Sequence, residues 1–205
     1  MSAPFYSYQP AKGHGLPHDP FKAIIAPRPI GWIASQSESG IANLAPYSFF
    51  NAFNGAPPII GFASVGFKDS VRNIQATGEF CWSLATRELA LPMNQSSASV
   101  DASIDEFELA GLEKRASTLV SVPHVAASPA SMECKVTQII QLNDMHGQQC
   151  DTWLVLGQVV AVHIQQAFLT DGVFDTAGAA SIMRAGGLGD YFSVSEDAKF
   201  IMGRP

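Results

Sequence analysis

The chain reads as a mainly β protein with short helices, an antiparallel barrel carrying helical insertions between its strands. Three observations predict this. Apolar runs of strand length, rich in β-branched and aromatic residues, recur between clusters of Gly, Pro, Asn and Ser. The helical signals are short and end at Gly or Pro. No internal repeat, low-complexity tract or linker divides the chain, so residues 21–205 read as one domain behind an N-terminal extended arm over 1–20.

In the arm, Pro4, Pro10, Pro17 and Pro20 oppose a helix, and Phe5, Tyr6 and Tyr8 need apolar surface to lie on. Ile30 to Ser35 forms a strand, Ser37 to Gly40 turns, and Ile41 to Ala45 returns antiparallel. Pro46 cannot donate to a ladder, so the chain leaves the sheet there or runs at an edge, and Tyr47 to Asn51 forms a bend. Ile59 to Val65 reads as a buried strand after Pro57-Pro58. Asp69 is placed to cap a helix through Ala76, with Gly78 as its stop and a strand from Glu79 to Leu84 beyond.

Thr86 caps a short helix from Arg87, which Pro92 kinks or ends. Ser103-Ile104-Asp105-Glu106 has the capping-box pattern, giving a helix over Asp105 to Ala110 closed by Gly111. Residues 113–130 read as an extended connection. Two long strands follow, Met132 to Leu142 and Thr152 to Ile164, and Asp190 to Val194 supplies a last strand or edge.

With 205 residues, 47% hydrophobic and 15% charged, the chain can bury a full core, and its low charge points to extra burial in an oligomer. A net charge of −6 and the lack of any Lys/Arg run argue against nucleic-acid binding. No stretch approaches the ~20 apolar residues of a membrane span. Cys81, Cys134 and Cys150 are dispersed without CxxC spacing, which fits inert thiols in a reducing, cytoplasmic setting.

Familiar catalytic patterns are missing: G-x-S-x-G, H-E-x-x-H, the Walker loop and G-x-G-x-x-G. No catalytic side chain and no metal site is assigned; His14 and His18 have helical ligand spacing, but Pro17 and two glycines break it. A phosphate site is better supported. Lys68-Asp69-Ser70 opens a helix, where free amides and the macrodipole favour an anion, although the Asp69 carboxylate competes for the same amides. Arg28, held between prolines, suits an anion contact or a salt bridge equally. Ser35, Asn43, Ser48, Asn51 and Ser64 cluster around one bend and offer the edge hydrogen bonds a planar heteroaromatic needs, and Arg184 and Tyr191 are further contact candidates.

The segments Pro27-Arg28-Pro29-Ile30-Gly31-Trp32, Asn43-Leu44-Ala45-Pro46-Tyr47-Ser48-Phe49-Phe50-Asn51, Lys68-Asp69-Ser70, Thr77-Gly78-Glu79-Phe80, Asp105-Glu106-Phe107 and Gly157-Gln158-Val159 stand in the order found in the flavin reductase-like family. The chain resembles that family of FMN-binding split barrels over roughly residues 20–165. The resemblance implies a homodimeric antiparallel split β-barrel that binds FMN and takes electrons from NADH or NADPH, with hydride passing from nicotinamide to flavin. A flavoredoxin-like electron carrier reduced by a protein partner is the alternative, and an oxygenase or electron-transfer partner is implied in either case. Carried over by position, Ser35, Asn43, Ala45, Pro46, Ser48, Phe49, Asn51 and Ser64 line the flavin and ribityl chain, while Lys68 and Ser70 hold phosphate with help from Arg28 or a neighbouring loop. The family's Arg-Leu-Gly-Gly pattern before a tyrosine becomes Arg184-Ala185-Gly186-Gly187 before Tyr191 here.

Overall fold

The computed structural model describes residues 4–204. In chain order its elements are α1 (Phe21–Ile24), β1 (Arg28–Pro29), β2 (Gly31–Gln36), β3 (Ala42–Tyr47), β4 (Phe50–Gly55), β5 (Pro58–Val65), α2 (Asp69–Thr77), β6 (Glu79–Ser83), α3 (Ala90–Gln95) and α4 (Glu106–Leu109). They continue as β7 (Lys114–Arg115), β8 (His124–Val125), β9 (Ala130–Asn143), β10 (Gln149–Ile164), β11 (Leu169–Thr170), β12 (Val173–Phe174), β13 (Ile182–Arg184) and β14 (Tyr191–Ser193).

Seven strands form one antiparallel sheet in the order β3-β2-β6-β9-β10-β5-β4. Its two edge strands, β3 and β4, are consecutive in sequence and joined only by Ser48 and Phe49. That short link draws the edges toward one corner, where Tyr47 packs on Phe62 at 4.5 Å between ring centroids, and the sheet folds into a split barrel. Period-2 alternation then sorts the side chains. Ile33, Phe62, Phe80, Cys134, Val155 and Val159 from five strands fill the interior together with Val71 and Ile74 of α2. Trp32, Ala34, Leu44 and Cys81 face outward and are covered by Met93 of α3, Phe107 of α4 and Val120 to Val125. This is why β2 is buried on both faces. Gly157 is needed for the closest approach: a Cβ there would lie 2.3 Å from Cε1 of Phe80.

The predicted barrel strands are present, and Pro46 does lie on an edge strand, paired opposite Trp32. Several local expectations change. Phe50–Gly55 is a strand, so the bend is confined to Ser48-Phe49 and Asn51 stands exposed on β4. The N-cap of α2 is Lys68, with Asp69 as the first helical residue. The helix predicted from Arg87 starts instead at Ala90, which places Pro92 in the first turn, where its missing N–H leaves no helical bond unmade. Asp105 rather than Ser103 caps α4, accepting from the Phe107 amide at 2.9 Å, because Ser103 bonds Asp101. The connection over 113–130 carries a small β7–β8 hairpin. The arm over residues 4–20 lies extended apart from a 3₁₀ turn at Pro10–Lys12, and Phe5 and Tyr6 remain exposed.

Candidate functional site

An open cleft of about 440 Å³ lies where the end of β3, the start of α2 and the loop after α3 meet. Its walls include Asn43, Ala45 and Pro46 of β3, Lys68 to Ser70, Arg72, Ser96 to Val100, and Glu106. Two hydrogen bonds dock α2 on the sheet and thereby set this geometry. Asn73 Nδ2 donates to Ser35 Oγ at 3.3 Å, and Asn43 Nδ2 donates to Ser70 Oγ at 2.9 Å. Ser35 and Asn43 are register partners across β2 and β3, so one pleat face meets one helix face.

The conflict posed by Asp69 is resolved by its partner. No side chain caps the start of α2, and the Asp69 carboxylate turns to an ion pair with Arg72. The first amides of the helix are thus left for another acceptor, with the positive end of the helix dipole behind them. Ser70 Oγ accepts from Asn43 and carries one proton, which can turn to the Tyr47 oxygen or to a ligand. Lys68 is exposed at the mouth. These groups fit a phosphate.

Two groups modulate that field. The Glu106 carboxylate, 7% exposed, accepts from the Leu44 amide at 3.0 Å. Burial pushes its pKa up, the Leu44 amide opposes this, and Asp69 and Asp105 add to the rise. The Tyr47 hydroxyl is likewise raised by burial, against the pull of Ser70 and Ser64. Trp32 fixes the far wall by donating from Nε1 to Ser96 Oγ at 3.0 Å.

Of the residues singled out from the sequence, Asn43, Ala45, Pro46, Lys68 and Ser70 come together in this cleft. Ser35 lies beneath α2, and Ser64 is fully buried with its hydroxyl donating to Gly66 O at 2.9 Å. Ser48 and Phe49 form the link to β4, and Asn51 Oδ1 accepts from the next amide. Arg28, Arg184 and Tyr191 gather elsewhere, in a small β1-β13-β14 sheet where Arg28 and Arg184 are register partners. Arg28 is 7% exposed, donates to the carbonyls of Lys22 and Ala185, and lies 5.9 Å from the Phe49 ring centroid. Arg184 donates to the carbonyls of Asp190 and Leu188 at 2.8 and 2.6 Å and stacks on Tyr191. Tyr47, within the bend read from the sequence, also lines the cleft, whereas sequence reasoning missed Arg72, Glu106 and the Ser96–Val100 wall. Glu106 was hidden because a Ser-x-x-Glu pattern also serves as a helix cap.

The family model for the flavin reductase like domain matches residues 25–178. An uncharacterised protein of Deinococcus radiodurans is 35% identical over 181 residues, covering 82% of this chain and 77% of its own. Among solved structures, nitrilotriacetate monooxygenase component B from Bacillus cereus is 28% identical with a TM-score of 0.87, covering 98% of this chain and 100% of its own. The Pseudomonas fluorescens 2-nitrobenzoate 2-nitroreductase is 25% identical with a TM-score of 0.79, covering 89% and 88%. The architecture, the motifs and these matches agree, and the chain belongs to the flavin reductase-like family.

Proposed function

We propose that this protein binds FMN and acts as an NAD(P)H-dependent flavin reductase. The observation that carries the reading is the uncapped start of α2, with Lys68 and Ser70 beside it and Asp69 held by Arg72. In this reading the amides of α2, the Ser70 hydroxyl and Lys68 hold the phosphate. The edge of β3 at Ala45 and Pro46 leads from there toward the Ser48-Phe49 link, a path along which the rest of the ligand is seated. FMN, when bound, supplies the two-electron chemistry that the side chains themselves lack. The residues contribute placement: Asn43 orients Ser70, Glu106 splints β3 through the Leu44 amide, and Trp32 anchors the Ser96 wall.

The likeness to a monooxygenase component B supports an oxygenase as the partner that receives the electrons. A homodimer is supported by large apolar side chains left exposed at both ends of the chain, among them Phe5, Phe200, Ile201 and Met202. Sedimentation at micromolar concentration tests it, and a monomer there sinks it. A cytoplasmic setting accords with three free cysteines, two of them buried.

The reading is tested by anaerobic mixing of the FMN-loaded protein with NADH and with NADPH. Rapid bleaching of the flavin absorbance by either supports the reductase. Bleaching only by a reduced protein partner assigns the carrier role instead, and protein unmoved in melting temperature by FMN removes both.

A further inference from the structure

A second recess, sharing no lining residue with the cleft, lies where the β7–β8 hairpin meets the ends of β9 and β10. Two cross-strand pairs converge there. Arg115 and His124 are register partners across β7 and β8, and His163 and Ser131 are register partners across β10 and β9. Partners in register point to the same face. The two pairs are joined by their imidazoles, which stack with centroids 4.9 Å apart at 15°.

The polar atoms of this cluster are unequally satisfied. His163 Nε2 is committed to Glu133 Oε1 at 2.6 Å, and His124 Nδ1 lies 3.4 Å from Ser117 Oγ. His124 is 2% exposed and Ser131 3%, and both line the recess. Among the described residues, His124 Nε2 and the Ser131 hydroxyl have no hydrogen-bond partner, and Arg115 has no ion-pair partner. These atoms open on the recess with no partner in the chain, so they are free to meet an acceptor from outside it. The nearby carboxylate is not that acceptor, because Glu133 already takes hydrogen bonds from Thr118, Leu119, Val120 and His163. A metal ion is disfavoured by Arg115 at the same spot, and no group of three or more His, Cys, Asp and Glu among the described residues is arranged to hold one.

We propose that this recess is a binding site for a small oxyanion, phosphate or carboxylate, held by the Arg115 guanidinium, His124 Nε2 and the Ser131 hydroxyl. The guanidinium fork donates outright; because Ser117 gives its own proton to Val122 O, a neutral His124 donates from Nδ1 toward Ser117, and its Nε2 becomes a donor to an oxygen acceptor when the ring is protonated. The recess, about 260 Å³, admits a small anion rather than a dinucleotide. His124 faces Arg115, His163 and, behind them, Glu133; burial first, then His163 and Arg115, lower its pKa, while Glu133 opposes them. A bound anion reverses that balance and draws a proton onto His124.

The test is NMR of the histidine ring resonances of the full chain at pH 6.5, titrated with inorganic phosphate and, separately, with acetate at constant ionic strength. Saturable shifts of the His124 and His163 signals with either salt support the site, and the ratio of the two affinities assigns the oxyanion class. Arg115 is exposed, so Arg115→Ala leaves the fold intact and should weaken the affinity roughly tenfold or more. Shifts that fail to saturate, that sodium chloride reproduces, or that persist unchanged in Arg115→Ala overturn the proposal.

Discussion

Two glutamates lie buried on opposite errands, and the regions around them behave differently. Glu133, on β9, is fully buried and accepts from the amides of Thr118, Leu119 and Val120, the Thr118 hydroxyl and His163 Nε2. Burial alone would push its carboxyl up; the amides of Thr118 and Leu119, with His163, outweigh burial and hold it at about 2. Glu106, in the cleft, is nearly as buried but has the Leu44 amide as its main donor, and its carboxyl is pushed up. Depth does not decide the charge state of a carboxyl; the number of donors aimed at it does. A saturated carboxylate becomes a structural rivet, whereas an undersupplied one stays responsive to what enters beside it.

The rivet should fail first when attacked. Glu133→Ala removes the charge and leaves three backbone amides and His163 facing a void, so we expect a loss of about 3–5 kcal/mol in denaturant unfolding. A loss under about 1 kcal/mol would show that the 118–120 segment finds other acceptors and would break the contrast. The same residue sets an acid limit. Its folded pKa is depressed from 4.5 to about 2, so the unfolded chain binds the proton more readily in that interval. Stability from Glu133 is therefore complete above about pH 4.5 and is lost as pH falls toward about 2. Glu133→Gln should flatten that part of the acid-unfolding curve, and an unchanged slope would assign the effect to other carboxylates.

The cleft should respond in ligand affinity rather than in folding. Lys68→Ala removes an exposed cation, so stability should stay within about 0.5 kcal/mol while FMN affinity falls several-fold. Ser70→Ala is harsher. It removes a donor to the phosphate, costing about 1.5–3 kcal/mol of binding, and also orphans the Asn43 amide, costing about 1 kcal/mol of stability. Titration of intrinsic fluorescence with FMN measures both, and unchanged affinity in the double variant would move the phosphate elsewhere.

How much of this could be read from the sequence follows the range of the forces involved. The long strands β9 and β10 and the stop of α2 at Gly78 depend on near neighbours, and the pattern of residues declared them. Gly78 has φ 74° and donates its amide to Ile74 O at 2.9 Å, as a helix stop requires. The role of Asp69 was undecidable, because whether it caps α2 or pairs with Arg72 depends on competition within one turn. Arg28, between its prolines, suits an anion contact or a salt bridge equally, and only the family resemblance puts it beside Lys68. Its real partners, the carbonyls of Lys22 and Ala185, include one 157 residues away, which no local pattern reveals. Glu106 reaches the Leu44 amide across 62 residues, a contact that its helix-capping pattern does not announce.

Glu106→Gln offers the finest test of the comparison. The amide keeps an oxygen to accept from Leu44, so β3 stays splinted while the negative charge disappears. Removing one like charge beside the phosphate should raise FMN affinity about two- to fivefold, or ~0.5–1 kcal/mol. The pH dependence separates charge from shape. A raised folded pKa means that the protonated Glu106 is favoured at low pH and that its charge appears only as pH rises through that pKa. In the wild type this charging should oppose FMN binding as pH rises, while the second ionisation of the phosphate near pH 6 favours it. In Glu106→Gln only the phosphate ionisation remains, so the ratio of the two affinities should widen with pH and then level off. Parallel affinity profiles would mean that Glu106 is insulated from the cleft, a second rivet rather than the counterpart of Glu133.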